Sequence, residues 1–569
     1  MRWTVLAGLT GLALVLGYVG FERLPDGGDW SVWDSFHRSL QLFVLESGGV
    51  PPPIPWQLEV ARFLAPAVTV AAAALALLSL FREQARLLKV RLRSRDHAVV
   101  AGLGSTGYAL ARQLQAGGVV VIEQDPGAPA IGGCRERGIP VVVGDAADPA
   151  VLARAALGRA RRLFVVCGED GVNADVTSAA RGLGGDLAVY VHLDDLDLWR
   201  HLVGHELAAG ARSSVRVEFF NLADAAARML LEENPPFAPG AAEAHVVVSG
   251  VDGPGESVVL HAARAWLGGR PDADARMRVT VCGPDAEADA ARLLARHPRL
   301  AGVCDIGTWT LHSAEGATPP AGLSAVTAAY ACDSADARAV SIALALHASG
   351  ALGPVPAVVM VRDESTGIAT ALHEGGGVVA FGLLARAAVA EVAMQGTTEV
   401  LARAKHEQYV RDERRRGRTP EENPSMAAWH ELGESLRQSN RRFAEGVGEK
   451  LRSARIAIVP APLADPGAPG AALPEEQVEE LAVVEHDRWC ADLIADGWRH
   501  GPGRKDPERK LHPSLVPWEE LSEEEREKDR EPVRALPELL AHLGFELRSA
   551  GTPAGEGPGA APYAQPALP

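Results

Sequence analysis

Hydrophobic positions fall into three regimes along the chain. Residues 3–20 (WTVLAGLTGLALVLGYVG) and 63–81 (FLAPAVTVAAAALALLSLF) are uncharged apolar runs, each long enough as a helix to cross the hydrocarbon core of a bilayer. Between them, residues 31–45 (SVWDSFHRSLQLFVL) place apolar side chains at helical spacing, and a proline-rich turn follows at 51–55. This predicts a short re-entrant-like helix between two spans. From residue 96 onward strand-length apolar runs alternate with amphipathic ones. Strands are expected at the start of 96–124, again at its end, and at 139–143, 163–167 and 187–193, with helical runs at 149–157 and 173–182. Such alternation predicts a parallel, doubly wound sheet. The pattern starts again at His245, with further strands expected at 277–282, 324–328 and 356–361. Beyond residue 398 it becomes helical, charged and rich in tryptophan.

The first alternating region carries its chemistry in one turn. Gly102, Leu103, Gly104, Ser105, Thr106 and Gly107 form a G-x-G-x-x-G between a strand and a helix, the setting in which a helix N-terminus faces a pyrophosphate. Glu123 ends the next strand, where a carboxylate would take a ribose hydroxyl. Ligands on such Rossmann-like sheets lie beyond the carboxyl ends of the strands, which adds Asp145, Ala146 and Cys167 to the candidate lining.

Composition narrows the classes. A net charge of −17 argues against a nucleic-acid binder. The six cysteines are scattered without a C-x-x-C, a reduced, intracellular pattern. Arg82, Arg86, Lys89, Arg91, Arg93 and Arg95 follow the second apolar run, whereas the 21–62 loop is acid-rich. That asymmetry predicts a multi-pass protein of the inner (plasma) membrane with both termini and the soluble domains cytoplasmic. His201 and His205 lie four apart on an expected helix without a visible third ligand, so no metal site is expected.

The segments GLGSTGYALARQL, IEQD and GIPVVVGDAADPAVLARA resemble the regulatory (Trk/RCK-type) domain of Trk-type potassium-uptake proteins and of calcium- or nucleotide-gated potassium channels. The resemblance covers roughly residues 96–235. It implies NAD(H) or an adenine nucleotide bound as a regulator rather than as a redox substrate. No tyrosine has a lysine four residues on, so a Tyr-x-x-x-Lys dehydrogenase pair is absent, and no enzyme activity is expected. The helix, short helix, helix layout ahead of this domain is similar to two-helix potassium channels. A potassium filter of the TVGYG type is missing, because the corresponding stretch reads LESGGVPPPIP.

The second alternating region has Gly250, Asp252 and Gly255 at the glycine positions. An aspartate at the middle position sets a side chain and a negative charge against a pyrophosphate, so residues 241–397 are expected to be a degenerate copy without a dinucleotide. Near the C-terminus, LAVVEHDRWCADLIADGWRHGPGRKDPERKLHPSLVPWEEL resembles the RyR repeat of ryanodine receptors. An internal repeat accompanies it: LARAKHEQY at 401–409 parallels LAVVEHDRW at 481–489, and Trp429 parallels Trp518. The basic Gly-Pro loop occurs only in the second copy. There Arg504 and Lys510, beside Trp489, Trp498 and His512, suit a phosphorylated, base-bearing ligand.

The expected fold class is therefore a membrane-anchored multidomain α/β protein. It comprises two transmembrane helices (1–95), two Rossmann-like doubly wound parallel sheets (96–240 and 241–397) and α-helical RyR-type modules. The worn module spans 398–458 and the complete one 475–548, joined by a linker at 459–474 and followed by a disordered tail at 549–569. The expected function is nucleotide-sensing regulation of potassium or other cation transport. The alternative is a non-conducting membrane receptor or effector answering a nucleotide signal in stress or phage defence, and a third reading is an NAD-dependent oxidoreductase. Expected partners are the lipid bilayer, a nucleotide and further copies of the chain, as a dimer or tetramer.

Overall fold

The computed structural model describes residues 2–24, 31–46, 50, 52–93, 95–183, 187–209, 215–272, 274–312, 318–362, 377–382, 396–465, 472–506 and 508–549. Apart from Ser549, the tail expected to be disordered lies outside the described residues, as do the middle of the expected linker and residues 47–49 and 51 of the channel-like stretch. The chain falls into two compact units, 1–93 and 94–569.

In the first unit α1 (Arg2–Glu22) packs against α3 (Trp56–Arg93), and α2 (Val32–Gln41) lies alongside, followed by a tight turn at Leu42–Val44. Small residues permit the approach: a Cβ on Gly20 would come within 2.6 Å of Leu58. Ser31 starts α2 with a capping box shared with Asp34. The serines of α2, Ser35 and Ser39, face inward, while Trp33, Phe36 and Leu40 are exposed. Together with exposed Val5, Leu12, Val15, Phe63 and Val70 they make an apolar outer surface. Helices α1 and α3 each contain a stretch, Thr4–Glu22 and Trp56–Ala76, long and apolar enough to cross a membrane. Helix α3 exceeds the expected 63–81 at both ends. Hydropathy sees only the apolar stretch, and charged residues such as Glu59 and Arg62 continue the helix as an ion pair at i, i+3.

The second unit opens with β1 (Ala98–Ala101), α4 (Ser105–Gln113), β2 (Val119–Glu123), α5 (Ala130–Glu136), β3 (Val141–Val143), α6 (Pro149–Arg154), β4 (Arg162–Val165), α7 (Asp170–Leu183), β5 (Leu187–His192), α8 (Leu196–Ala209), β6 (Val215–Phe220) and α9 (Leu222–Glu233). All pairings are parallel, in the order β3-β2-β1-β4-β5-β6. The strands are continuous Val/Ala/Ile/Leu runs because both faces are covered by helices.

The second fold repeats this plan with β7 (His245–Ser249), α10 (Pro254–Gly269), β8 (Met277–Gly283), α11 (Ala286–Arg296), β9 (Cys304–Thr310), β10 (Ala328–Ala331), β11 (Ala357–Val361) and β12 (Val378–Gly382). Its order, β9-β8-β7-β10-β11-β12, is that of the first sheet, with β7 to β12 in the places of β1 to β6. β10 corrects the expected strand at 324–328. The ladder begins only where Ala328 pairs with Val246, and the preceding residues hydrogen-bond His245, whose Nδ1 lies 3.1 Å from the Ser324 carbonyl. Sequence reading also missed β6, β9 and β12, each of which is an edge strand.

Two helical modules follow. Helices Thr397–Arg415 and Glu434–Ser453 lead into β13 (Ile456–Pro460). Helices Glu475–Ala495, Glu523–Arg534 and Leu536–His542 lead into β16 (Phe545–Ser549), after two two-residue strands β14 (Arg499–His500) and β15 (Leu511–His512). β13 and β16 pair antiparallel, which joins the two modules at corresponding ends.

Candidate functional site

Each glycine of the first turn has its own reason. Gly102 sits at φ +96°, and a Cβ there would press within 2.7 Å of the Val166 carbonyl oxygen. A Cβ on Gly107 would overlap the Gly102 carbonyl oxygen, so α4 can lie this close to β1 only with glycine. A Cβ on Gly104 would meet nothing within 4 Å, so the face of this residue is open. It is also the N-cap of α4 and supplies no side-chain cap. The first-turn amides of α4 are thereby left for a ligand at the positive end of the helix.

These residues border a cavity of about 840 Å³ at the carboxyl ends of the strands. It lies where strand order reverses between β1 and β4, the position at which doubly wound sheets take ligands. Of the sequence-predicted residues, Gly102, Leu103, Gly104, Ser105, Thr106, Glu123, Asp145, Ala146 and Cys167 line it, and Gly107 lies beneath. Glu123 is locked in place: its Oε2 accepts from the Leu103 amide at 2.7 Å and its Oε1 from the Asp125 amide at 2.8 Å. Asp145 accepts from the Ala147 amide at 2.9 Å. Burial pushes the Cys167 thiol up to about 11, with Glu123 and Asp145 adding to the rise, so the thiol stays protonated at neutral pH. Asn173 holds the end of β4, accepting from the Cys167 amide and donating to the Cys167 and His192 carbonyls.

The sequence did not reveal that the opposite wall belongs to the second fold. Asp252, Glu256, Asp333, Asp336, Arg296 and Arg362 complete the cavity, and the first fold adds His192, Asp194 and Asp195. Arg296 is bound to Glu256 at 2.5 Å and to Asp197 at 3.2 Å, a link between the two folds. Burial pushes the Asp333 carboxyl up; Ser249 and Arg338 oppose this and Asp252 adds to it.

In the complete C-terminal module His486 is the hub. Its Nε2 lies 2.8 Å from the Val516 carbonyl and its Nδ1 3.1 Å from Asp529. Its ring is 5.7 Å from both Trp489 and Trp518. The worn module reproduces the arrangement. His406 Nε2 lies 2.8 Å from the Ala427 carbonyl, with Trp429 at 5.7 Å and Tyr409 at 6.4 Å. Trp518 Nε1 donates to Glu479 at 3.2 Å and Trp429 Nε1 to Glu399 at 3.2 Å. Arg530 binds Glu479 and Glu523 as Arg441 binds Glu399 and Glu434.

Of the proposed second-site residues, Trp489, Trp498 and His512 lie together. His512 lies 4.9 Å from Trp489 and 6.2 Å from Trp498, and Lys505 sits 5.2 Å over the Trp498 ring. Arg504 is exposed. Lys510 departs from the expectation: its Nζ donates to the Asp496 carbonyl at 2.7 Å, closing the end of helix Glu475–Ala495 rather than facing the loop. Among the described residues no group of three or more His, Cys, Asp or Glu could hold a metal, and His201 Nδ1 instead lies 2.8 Å from the Asp197 carbonyl.

Residues 98–204 match the family model of the TrkA-N domain, and residues 472–549 match that of the RyR domain. The chain carries a TrkA-N domain and an RyR domain. No curated protein matches the chain. Among solved structures, the GsuK channel is similar at 15% identity and a TM-score of 0.33, over 69% of this chain and 96% of that one. The GsuK channel bound to NAD is similar at 14% identity and a TM-score of 0.35, over 69% and 83%. GsuK bound to ADP is similar at 15% identity and a TM-score of 0.32, over 68% and 96%. The glycine turn, Glu123 and the β4 end all fall inside the TrkA-N match, and the His486 hub and basic loop fall inside the RyR match.

Proposed function

We propose that this chain is a membrane-anchored sensor whose TrkA-N domain binds NAD(H) or an adenine nucleotide as a regulator of cation transport. The observation that carries the ligand is the uncapped start of α4 above the open face of Gly104, with the Glu123 carboxylate fixed in the same cavity. The amides would take the pyrophosphate and Glu123 a ribose hydroxyl. The nucleotide is read as a signal, not a reactant. Cys167, the thiol at the cavity, is held protonated, and the chain has no Tyr-x-x-x-Lys pair. The transport reading is supported by the TrkA-N match together with two membrane-capable helices. Two helices per chain cannot enclose a pore, so conduction would require assembly of several copies.

A second reading, a non-conducting membrane receptor, is favoured by one observation: residues 45–55 read LESGGVPPPIP and offer no TVGYG-type carbonyl run. The experiment that separates the two is potassium flux from liposomes holding the full chain, with and without NAD+ or ADP. Nucleotide-dependent flux supports the transport reading. Nucleotide binding without flux supports the receptor.

A further inference from the structure

The second fold keeps the frame of a nucleotide site and reverses its charge. Gly250 has φ +71°, and a Cβ there would overlap the Cys332 carbonyl as one on Gly102 would press on that of Val166. A Cβ on Gly255 would overlap the Ser249 carbonyl, the counterpart of the Gly107 approach. At the two positions facing a ligand the residues differ. Asp252 stands where the first fold has Gly104, and Asp333 where it has Cys167. Both aspartates line the first fold's cavity.

In a doubly wound sheet one half of a dinucleotide lies over the strands on one side of the β1/β4 crossover and the other half over the strands on the opposite side. Glu123, at the end of β2, marks the adenosine half. The other half then runs past the ends of β4 and β5, where Asp194 and Asp195 follow His192, in the cavity that Asp252 and Asp333 of the second fold also line; Glu256, four residues after Asp252, lies 3.9 Å from Arg200 on α8, the helix that follows β5. The two cavity arginines leave the wall acidic: Arg296 is bound to Glu256 and Asp197, and Arg362, whose amide donates to Asp336, is set against Asp194, Asp195, Asp252 and Asp333.

Resting on the nucleotide reading above, we infer that the second fold acts as a charge filter on the first fold's site, selecting a dinucleotide whose distal group is cationic. Among pyridine dinucleotides that is oxidised NAD+, whose pyridinium carries the charge that NADH and ADP-ribose lack. The sensor then reports oxidised cofactor rather than total nucleotide.

The test is calorimetric titration of the detergent-purified full chain with NAD+, NADH and ADP-ribose, in EDTA so that no divalent ion screens the wall. A unit charge facing carboxylates in a partly buried site should favour NAD+ by about tenfold or more. In Asp252→Asn/Asp333→Asn that ratio should fall towards one, with NADH affinity held or improved. Asp252 is exposed, so Asp252→Asn alone should fold normally and shift the ratio in the same direction. Equal or tighter binding of NADH, or a ratio that survives the double substitution, overturns the charge filter and leaves the nucleotide reading standing. Failure of all three ligands to bind overturns both.

Discussion

The Glu123 carboxylate accepts the backbone amide of Leu103 at 2.7 Å, so the end of β2 and the glycine turn after β1 hold each other in register. The acid is therefore fixed before a ligand arrives, which lowers the ordering cost of binding. A 2′-phosphate would meet this carboxylate directly. NADP+ should bind at least about tenfold more weakly than NAD+. Glu123→Gln can still accept from Leu103 while losing the charge, so it should narrow the gap. Titration of both ligands against both proteins checks this, and equal affinities in the unmodified protein would contradict it.

Stoichiometry follows from Asp252. The second fold has the strand order and glycine turn of the first but sets a carboxylate at the pyrophosphate approach. One dinucleotide per chain is expected at saturation. Two per chain, or a bound dinucleotide at Gly250–Gly255 in a crystal, would refute the charge argument.

Glu218 on β6 makes the fold sensitive to pH. Burial pushes its carboxyl up to about 7; Arg216 opposes, and Glu399 and Glu445 of the first helical module add to the rise. Among the described residues its Oε2 has no hydrogen-bond partner. The folded state holds this proton more tightly than the unfolded state does. Stability from this group is therefore lost as pH rises from about 4.5 to about 7, and flat above. Melting temperature should fall across that window, and Glu218→Gln should flatten the slope. Parallel slopes for the two proteins would exclude Glu218 as the source.

The RyR module holds its aromatics at different depths. Trp518 is buried against His486, and Trp518→Ala should cost about 3–5 kcal/mol. Trp498 is half-buried under Lys505, and Trp498→Ala should change melting far less. Lys510→Ala should act through the helix end it closes, costing about 1 kcal/mol of stability. Arg504→Ala should leave stability unchanged and, if the loop holds a phosphate, weaken nucleotide binding. Thermal melts of the four variants, set beside titrations, sort these roles.

Much of this architecture was legible in the sequence because its signals are local. The strand, glycine turn, helix and acid of residues 96–124 each declare themselves, and the parallel of LARAKHEQY with LAVVEHDRW and of Trp429 with Trp518 foretold the matched hubs. Of the four edge strands of the two sheets, β3 was legible and β6, β9 and β12 were not. β9 reads CDIGTWT, with polar residues on its open face, and resembles a loop by composition. The shared cavity was also hidden, since Asp252 and Asp333 line the same cavity as Gly104 only through the packing of two folds far apart in sequence. Lys510 shows the same limit: a basic loop announces charge, but only the backbone decides which cation closes a helix end.

The central claim is that a nucleotide sits on the open face of Gly104, and the most direct measurement is titration of NAD+ into the full chain and into Gly104→Asp. A side chain at 104 meets nothing within 4 Å, so the variant should melt as the unmodified protein does. It sets a carboxylate where the pyrophosphate would lie, as Asp252 does in the second fold, and affinity should drop by about 100-fold or more. Unchanged NAD+ affinity in a normally folded Gly104→Asp protein would contradict the account.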